Sequence, residues 1–195
     1  LLGGLAGDAL TTGSSNIAIG LNALGAEDTG SDSIAIGRSA LLNQNHDGSA
    51  YNVAIGRDAG KEVSTGVKNT IIGGLAGDAL TSSQRSVAIG YLALSSETGS
   101  DRSVAIGADA LKSQNIGSSN SYNTAVGDSA GEEITTGTLN TLIGGLAGDA
   151  LTTGGANVAV GYQALSSEDA HGKNVAIGYQ SLLSQNAGAD AYNVA

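Results

Sequence analysis

The stretch Ser-Val-Ala-Ile-Gly at residues 86–90 returns unchanged at residues 103–107, which lie 17 positions later. Variants of this phrase run along the whole chain, and the step between their glycines is 17 residues except for single steps of 19 and 20. These landmark glycines are Gly3, Gly20, Gly37, Gly56, Gly73, Gly90, Gly107, Gly127, Gly144, Gly161 and Gly178. A unit this short has too few apolar side chains to bury a face of its own, so it must stack on its neighbours. The sequence therefore predicts an all-β solenoid of about eleven coils.

Four coils form a larger repeat. Ile-Gly-Gly-Leu-Ala-Gly-Asp-Ala-Leu occupies residues 72–80 and 143–151, and a close copy lies at residues 2–10. The residue four places after the landmark glycine is glycine in some coils and leucine in others, and each such glycine is followed three places later by an apolar residue. This pattern predicts two coil shapes that fill one interior. We expect a single repeat array over residues 1–195, with superunits at approximately 1–69, 70–139 and 140–195, taken from a longer fibre.

Composition limits the chemistry that the chain can perform. Among 195 residues there are 31 glycines and no cysteine, so disulfides, thiolate metal sites and a thiol nucleophile are excluded within this sequence. The net charge is −10, with the charged residues scattered along the coils. Because nucleic-acid binding depends on clustered Lys and Arg, we expect no nucleic-acid partner. The sequence also has no apolar run of about 18 residues, so we expect no membrane contact within it.

Alternation within the phrase assigns side chains to two faces. Val104 and Ile106 are two residues apart and point to one side of a strand, while Ala105 points to the other. We place the β-branched pair inside the coil, where such residues pack well. The alanines would then form an exposed apolar stripe, which is an association surface, and we expect it to pack against copies of the chain in a homotrimer. The stripe comprises Ala18, Ala35, Ala54, Ala88, Ala105, Ala125, Ala159 and Ala176.

The position four residues before the landmark glycine is Asn or Ser in every coil that contains it. Stacking would align these side chains in a ladder, in which each amide bonds its counterpart one coil away and closes its own turn. The predicted ladder contains Asn16, Asn52, Asn69, Asn123, Asn140, Asn157 and Asn174. One like group spread along a rod does not suit catalysis, which needs unlike groups that converge.

The third coil of each superunit is the long one, and its extra residues fall in the polar segments 43–50, 113–121 and 184–191. Variable loops on a rigid scaffold are the usual place for recognition. The predicted ligand contacts are Gln44, Asn45, His46, Gln114, Asn115, Gln185 and Asn186.

Other motifs give no site. The segment around Asp78 partly resembles a calcium-binding nonapeptide, but Asp8, Asp78 and Asp149 are about 70 residues apart and cannot share one ion. His46 and His171 have no recurring Ser or Asp partner for a triad or a metal cluster. The six tyrosines keep a fixed place in the repeat, which favours packing over ligand binding. We therefore predict no catalytic residue, no cofactor and no metal, and hence no enzyme.

The repeated Ser-Val-Ala-Ile-Gly phrase resembles the head repeats of trimeric autotransporter adhesins of the YadA type. The resemblance covers essentially all 195 residues, although the 17-residue step is longer than is typical of those heads. It implies a left-handed parallel β-roll of three associated chains that binds host surfaces, matrix or a receptor molecule. The expected function is thus a surface-displayed adhesin and spacer rod, extracellular and anchored at an outer membrane.

Two alternatives stay open from the sequence. The phrase Asn-Val-Ala-Val-Gly-Tyr-Gln-Ala-Leu at residues 157–165 is similar to repeats in fibre proteins of marine phages. The chain could thus belong to a phage tail fibre, as a shaft or a receptor-binding part on the virion surface. A structural extracellular filament, in which coils stack head to tail, is the third reading.

Overall fold

A computed structural model describes residues 1–186 and 188–195; residue 187, in the predicted loop segment 184–191, lies outside the described residues. The described residues contain one parallel sheet of ten strands and no helix, and so no helix with the length and hydropathy to cross a membrane. The strands are β1 (Ile17–Ile19), β2 (Ile34–Ile36), β3 (Val53–Ile55), β4 (Thr70–Ile72), β5 (Val87–Ile89), β6 (Val104–Ile106), β7 (Thr124–Val126), β8 (Thr141–Ile143), β9 (Val158–Val160) and β10 (Val175–Ile177).

Each strand pairs with the next one along the chain, in the order β1 to β10. The register places like positions of the phrase side by side, as in the pairing of Ala88 with Ala105 between β5 and β6. Single bridges from Leu2 to Ile19 and from Val194 to Val175 extend the ladder at both ends. One strand per coil, always paired with its sequence neighbour, makes the chain a β-solenoid. The predicted all-β solenoid with a 17-residue step is confirmed.

Left-handed backbone conformations bend every coil. After strand β5 the chain passes Gly90 at φ 138°, Leu92 at φ 56° and Leu94 at φ 55°. A Cβ atom on Gly90 would lie 2.2 Å from the carbonyl oxygen of Gly107 in the next coil. The landmark glycine is therefore required twice, by its positive φ and by the close approach of the neighbouring backbone.

The two faces of the strand are the reverse of the prediction. Ala105 is fully buried inside the coil, whereas Val104 and Ile106 lie half-buried on the outside. The interior beside the strand is narrow because buried side chains such as Leu94 and Leu111 project into it from the following turn, which leaves room for a methyl group. The predicted association stripe is therefore wrong, since its members all belong to the core: Ala18, Ala35, Ala54, Ala88, Ala105, Ala125, Ala159 and Ala176.

Two coil shapes share this core. In leucine-type coils, the second and third of each superunit, the position four after the landmark glycine is a leucine, such as the buried Leu94 and Leu111. In glycine-type coils, the first and fourth, that position is glycine, and a Cβ on Gly77 would meet Leu80 Cδ1 at 2.6 Å. The space is thus filled either by the leucine or by the apolar residue three places later. The larger strand residue Ile71 fits against the glycines, since a Cβ on Gly60 would lie 2.8 Å from its Cδ1.

Candidate functional site

A glutamate or a glutamine distinguishes the interior of the leucine-type coils. Where glycine-type coils place an apolar residue, such as Leu80 or Ile134, the second coil of each superunit has a glutamate and the third has a glutamine. We call these side chains, with the asparagine that opens the fourth coil, the buried polar network. Its glutamates and glutamines are Glu27, Gln44, Glu97, Gln114, Glu168 and Gln185.

The carboxylate of Glu97 is enclosed by hydrogen-bond donors. Its Oε1 accepts from the three successive backbone N–H groups of residues 98–100, at 2.9, 3.0 and 2.8 Å. Its Oε2 accepts from the backbone N–H of Ile116 at 3.1 Å and from Nε2 of Gln114 at 3.2 Å. A fully buried charged group is tolerated only with such compensation. Glu97 therefore fixes both its own turn and the start of the long loop in the next coil.

The network continues across the following two coils. Gln114 Nε2 also donates to Ser103 Oγ at 2.8 Å, and Gln114 Oε1 accepts from Asn123 Nδ2 at 2.8 Å. Asn123 Nδ2 donates in addition to the carbonyl of Gly137 at 2.7 Å. One polar path thus links the second, third and fourth coils of the superunit.

The other superunits contain the same path. In the first, Gln44 Nε2 donates to Glu27 at 2.9 Å, and Asn52 Nδ2 donates to Gln44 Oε1 at 2.8 Å. In the third, Gln185 Nε2 donates to Glu168 at 3.4 Å, and Asn193 Nδ2 donates to Gln185 Oε1. The backbone N–H of His46 also reaches Glu27, at 3.3 Å. The glutamates of the first two superunits therefore hold the base of the adjoining long loop.

The predicted ligand contacts divide into two groups. Gln44 and Gln114 are fully buried and Gln185 is half-buried, so the glutamines do not present a recognition surface. The reason is that the extra residues follow the glutamine, which keeps the inward position of an ordinary coil. The loop residues that follow it are accessible, with His46 half-buried and Asn45, Asn115 and Asn186 exposed.

The side chains of the asparagine ladder form hydrogen bonds mainly with backbone groups. Asn140 is buried, its Nδ2 donates to the carbonyl of Gly154 at 2.9 Å, and its Oδ1 accepts from the N–H of Asn157 at 2.9 Å. The amide, which is both donor and acceptor, thus links Gly154, near the end of the coil that Asn140 opens, to Asn157, which opens the next coil. The predicted bond between one side-chain amide and the next is made among the described residues only by Asn174, whose Nδ2 donates to Asn157 Oδ1 at 3.2 Å. The same link is made by Asn16, Asn52, Asn69, Asn123 and Asn157.

Among the described residues, Glu168, Asp169 and His171 form the one group whose potential metal-ligand atoms lie within 4.8 Å of one another. Glu168 Oε1 accepts from the backbone N–H of His171 at 3.2 Å and lies 3.3 Å from its Nδ1. The equivalent Glu27 and Glu97 make the same backbone contact three residues on, without a histidine. We therefore assign the Glu168 carboxylate to the buried polar network.

The first-coil aspartates lie four coils apart. Burial raises the pKa of Asp78 and of Asp149, and the like charge of Asp58 adds to the effect at Asp78. One carboxylate oxygen of each is buried without a hydrogen-bond partner among the described residues. Both side chains are therefore partly desolvated charges in glycine-type coils.

The tyrosines lie on the outer surface and not in the core. Tyr51 and Tyr122, which precede the ladder position of the fourth coil, are 56% and 51% exposed. Tyr162 and Tyr179 follow landmark glycines and stack on each other with ring centroids 5.9 Å apart. Their periodic placement follows from the repeat itself, which puts each of these positions outside. The predicted packing is therefore found at the surface, between Tyr162 and Tyr179, and not within the core.

Searches against family models, curated proteins and solved structures return no match. The resemblance to YadA-type head repeats stays a prediction.

Proposed function

We propose that the chain is a non-enzymatic rod of a surface-displayed fibre, which acts as a spacer and as an adhesin. The observation that carries this proposal is the unbroken register of the ten strands, which repeats the long loop at the same place in every fourth coil. With coils about 4.8 Å apart, the ten-strand sheet is roughly 43 Å long and successive long loops lie about 19 Å apart. A rod with regularly spaced loops suits multivalent attachment.

The exposed parts of the long loops provide the attachment surface. Their bases are fixed by the buried polar network, through the contact of Glu27 with His46 and that of Glu97 with Ile116. Beyond the base, the loop sequences 45–50 and 115–121 differ from each other, and their residues are mostly exposed. A fixed base with a variable tip is the arrangement that recognition loops commonly have.

Trimming the loops tests this role. The variant lacks residues 47–48, 117–119 and 188–189, which shortens each long coil to 17 residues. Beads coated with the intact chain should adhere to a surface coated with reconstituted basement-membrane matrix, and beads coated with the trimmed chain should not. Equal retention of the two would refute the role of the loops. Failure of the intact chain to adhere would refute the adhesin and leave the spacer.

We also propose that the rod associates with copies of itself, as a homotrimer, through its outer Val/Ile face. This face consists of the first and third residues of strands β1 to β10, which are half-buried or exposed aliphatic or Thr side chains in two continuous columns. An apolar strip of this length on water favours association, and an identical chain offers a strip of the same length and spacing.

Light scattering tests the association. At micromolar concentration the mass should be three times the chain mass of 19.0 kDa. The double variant Ile89→Lys/Ile106→Lys should fall to the mass of one chain, while Ser96→Lys/Ser113→Lys, which adds the same charge elsewhere, should keep the larger mass. A single-chain mass for the unaltered protein would refute the association.

A further inference from the structure

One outward row of the solenoid carries most of the unpaired positive charge. The residue directly before the ladder position has a positive φ in every coil, as at Arg85 (φ 57°) and Arg102 (φ 62°). Because the coils stack in register, these residues form one row along the rod. In order, the row reads Ser15, Asp32, Tyr51, Lys68, Arg85, Arg102, Tyr122, Leu139, Ala156, Lys173 and Tyr192.

Three cations in this row occupy consecutive coils, and a tyrosine lies at each end of them. Lys68 and Arg85 are exposed, Arg102 is half-buried, and their positions differ by the coil step of 17. Within the described residues, no carboxylate forms a salt bridge with any of the three. The adjacent acid, Asp101, directs its Oδ1 to the backbone N–H of Gln84 at 2.8 Å. Three of the eight basic residues of an acidic chain are thus concentrated in one short row.

In the third superunit, the cation at this row position is paired with a carboxylate. There Lys173 lies 5.0 Å from the centre of the Tyr192 ring and donates to Asp190 at 2.6 Å. In the second superunit Arg102 lies over the Tyr122 ring at 5.6 Å, but it donates to the neutral amide of Asn120. The same cation–π arrangement therefore has no carboxylate partner in the second superunit and has one in the third.

We propose that Tyr51, Lys68, Arg85, Arg102 and Tyr122 form a binding strip for an anionic polysaccharide that lies along the rod. At about 4.8 Å per coil the strip is roughly 19 Å long, which suits an extended chain with regularly spaced acidic groups. The exposed tyrosine rings offer flat apolar faces to sugar rings at both ends. A nucleic acid is the competing occupant, and the oligonucleotide comparison in the test below distinguishes it from a polysaccharide. This inference rests on the proposed attachment function, and it names a ligand class for a surface beside the long loops.

Dextran sulfate and neutral dextran are matched probes, because they share one backbone and differ in charge. The intact protein should bind dextran sulfate and not dextran, with a log–log salt slope of about −2 if each of the three cations contributes roughly 0.7. An alginate arm, which presents carboxylates, then distinguishes the kind of acidic polysaccharide. Binding to neutral dextran with equal affinity would overturn the proposal, as would tighter binding of a single-stranded oligonucleotide than of dextran sulfate.

Two triple variants locate the site. Lys68→Gln/Arg85→Gln/Arg102→Gln should weaken dextran sulfate binding about tenfold or more. Gln should be tolerated, because Gln163 and Gln180 adopt similar φ values of 53° and 55° elsewhere. The control Arg38→Gln/Arg57→Gln/Lys61→Gln changes the net charge by the same amount on another face and should bind as the intact protein does. Equal weakening by both variants would show that only total charge matters, and would refute the strip.

Two small changes keep the test valid if a triple variant unfolds. Asn120→Asp introduces the acid that neutralises Lys173 in the third superunit, and it should weaken binding severalfold. Tyr122→Leu, which copies Leu139 at the same row position, should weaken binding and leave the salt slope unchanged. Unaltered affinity in both would overturn the proposal. The loop-trimmed chain keeps the strip, so its binding of dextran sulfate separates failure of the strip from failure of the loops as adhesive elements.

Discussion

Leucine-type and glycine-type coils have one backbone path and fill it in opposite ways. In a glycine-type coil, Gly77 leaves space that the apolar side chain of Leu80 occupies from three residues later. In a leucine-type coil, Leu94 fills that space from the earlier position, and the later position holds the buried Glu97. The difference shows that moving one apolar side chain by three residues frees an inward position for a polar group.

That freed position lies next to the long loops. Glu97 accepts from Ile116 at the base of the loop, and Gln114 connects it to the coil that follows. No apolar residue could satisfy the loop's backbone N–H group in this way. The leucine-type coils thus have a buried glutamate in place of an apolar side chain, and its hydrogen bonds fix the base of the long loop to the solenoid.

The largest effect is expected from removing the buried carboxylate. Glu97→Ala leaves the backbone N–H groups of residues 98–100 and of Ile116 without their acceptor. The free energy of unfolding should fall by about 3–5 kcal/mol, measured by urea denaturation. The control Glu133→Ala, at an exposed position, should change it by less than about 0.5 kcal/mol. Similar losses in the two variants would show that Glu97 has no special structural role.

A double-mutant cycle tests the exchange of side chains between the two coil types. Gly77→Leu alone should cost about 1–3 kcal/mol through overpacking, and Leu80→Ala alone about 2–5 kcal/mol through a cavity. Together they should cost at least about 1 kcal/mol less than the sum, because the new leucine fills the space that Leu80 vacates. Strict additivity in thermal or urea unfolding would contradict the idea that the two positions share one space.

The smallest effect concerns a charge in the glycine-type coil. Burial raises the pKa of Asp78 in the folded chain above its ordinary value of 3.8, so the fold holds this proton more tightly than the unfolded chain does. Its contribution to stability is present at acid pH and is lost as pH rises through the folded pKa. Asp78→Asn should therefore stabilise the chain slightly at pH 7, by well under about 1 kcal/mol because the side chain is partly screened by solvent.

The pH profile checks the sign. The gain from Asp78→Asn should shrink as pH falls and vanish below the ordinary Asp pKa of 3.8. Asp149→Asn, whose carboxyl pKa is raised by the same cause, should behave alike. A gain that grows toward acid pH would contradict the assigned direction of the shift.

The repeat period was sufficient to predict the solenoid, because it alone determines which residues stack. It did not determine which side of the strand faces inward. Alternation places Ala105 on one face of the strand and Val104 and Ile106 on the other. Either face is apolar enough to line the interior, so the width of the coil decides which one does. That width follows from the inward Leu94 and Leu111, whose left-handed φ values the sequence does not reveal.

The buried polar network could have been predicted from the sequence. Glu97 and Gln114 occupy the position that is Leu80 and Ile134 in the glycine-type coils, so a column read along the 17-residue step would have placed them inside. The same comparison of coils would have aligned Lys68, Arg85 and Arg102, because they lie one coil step of 17 residues apart. Read singly along the chain, both sets look like scattered polar residues.

The most direct test of the account is the reactivity of single cysteines on neighbouring strand positions. The chain has no cysteine, so Ala105→Cys and Val104→Cys each create one thiol. At a dilution where light scattering gives a single chain, Val104→Cys should react readily with a maleimide, and Ala105→Cys should stay protected until denaturant is added. Equal or faster labelling of Ala105→Cys would contradict an interior lined by alanine and an outer face of Val and Ile.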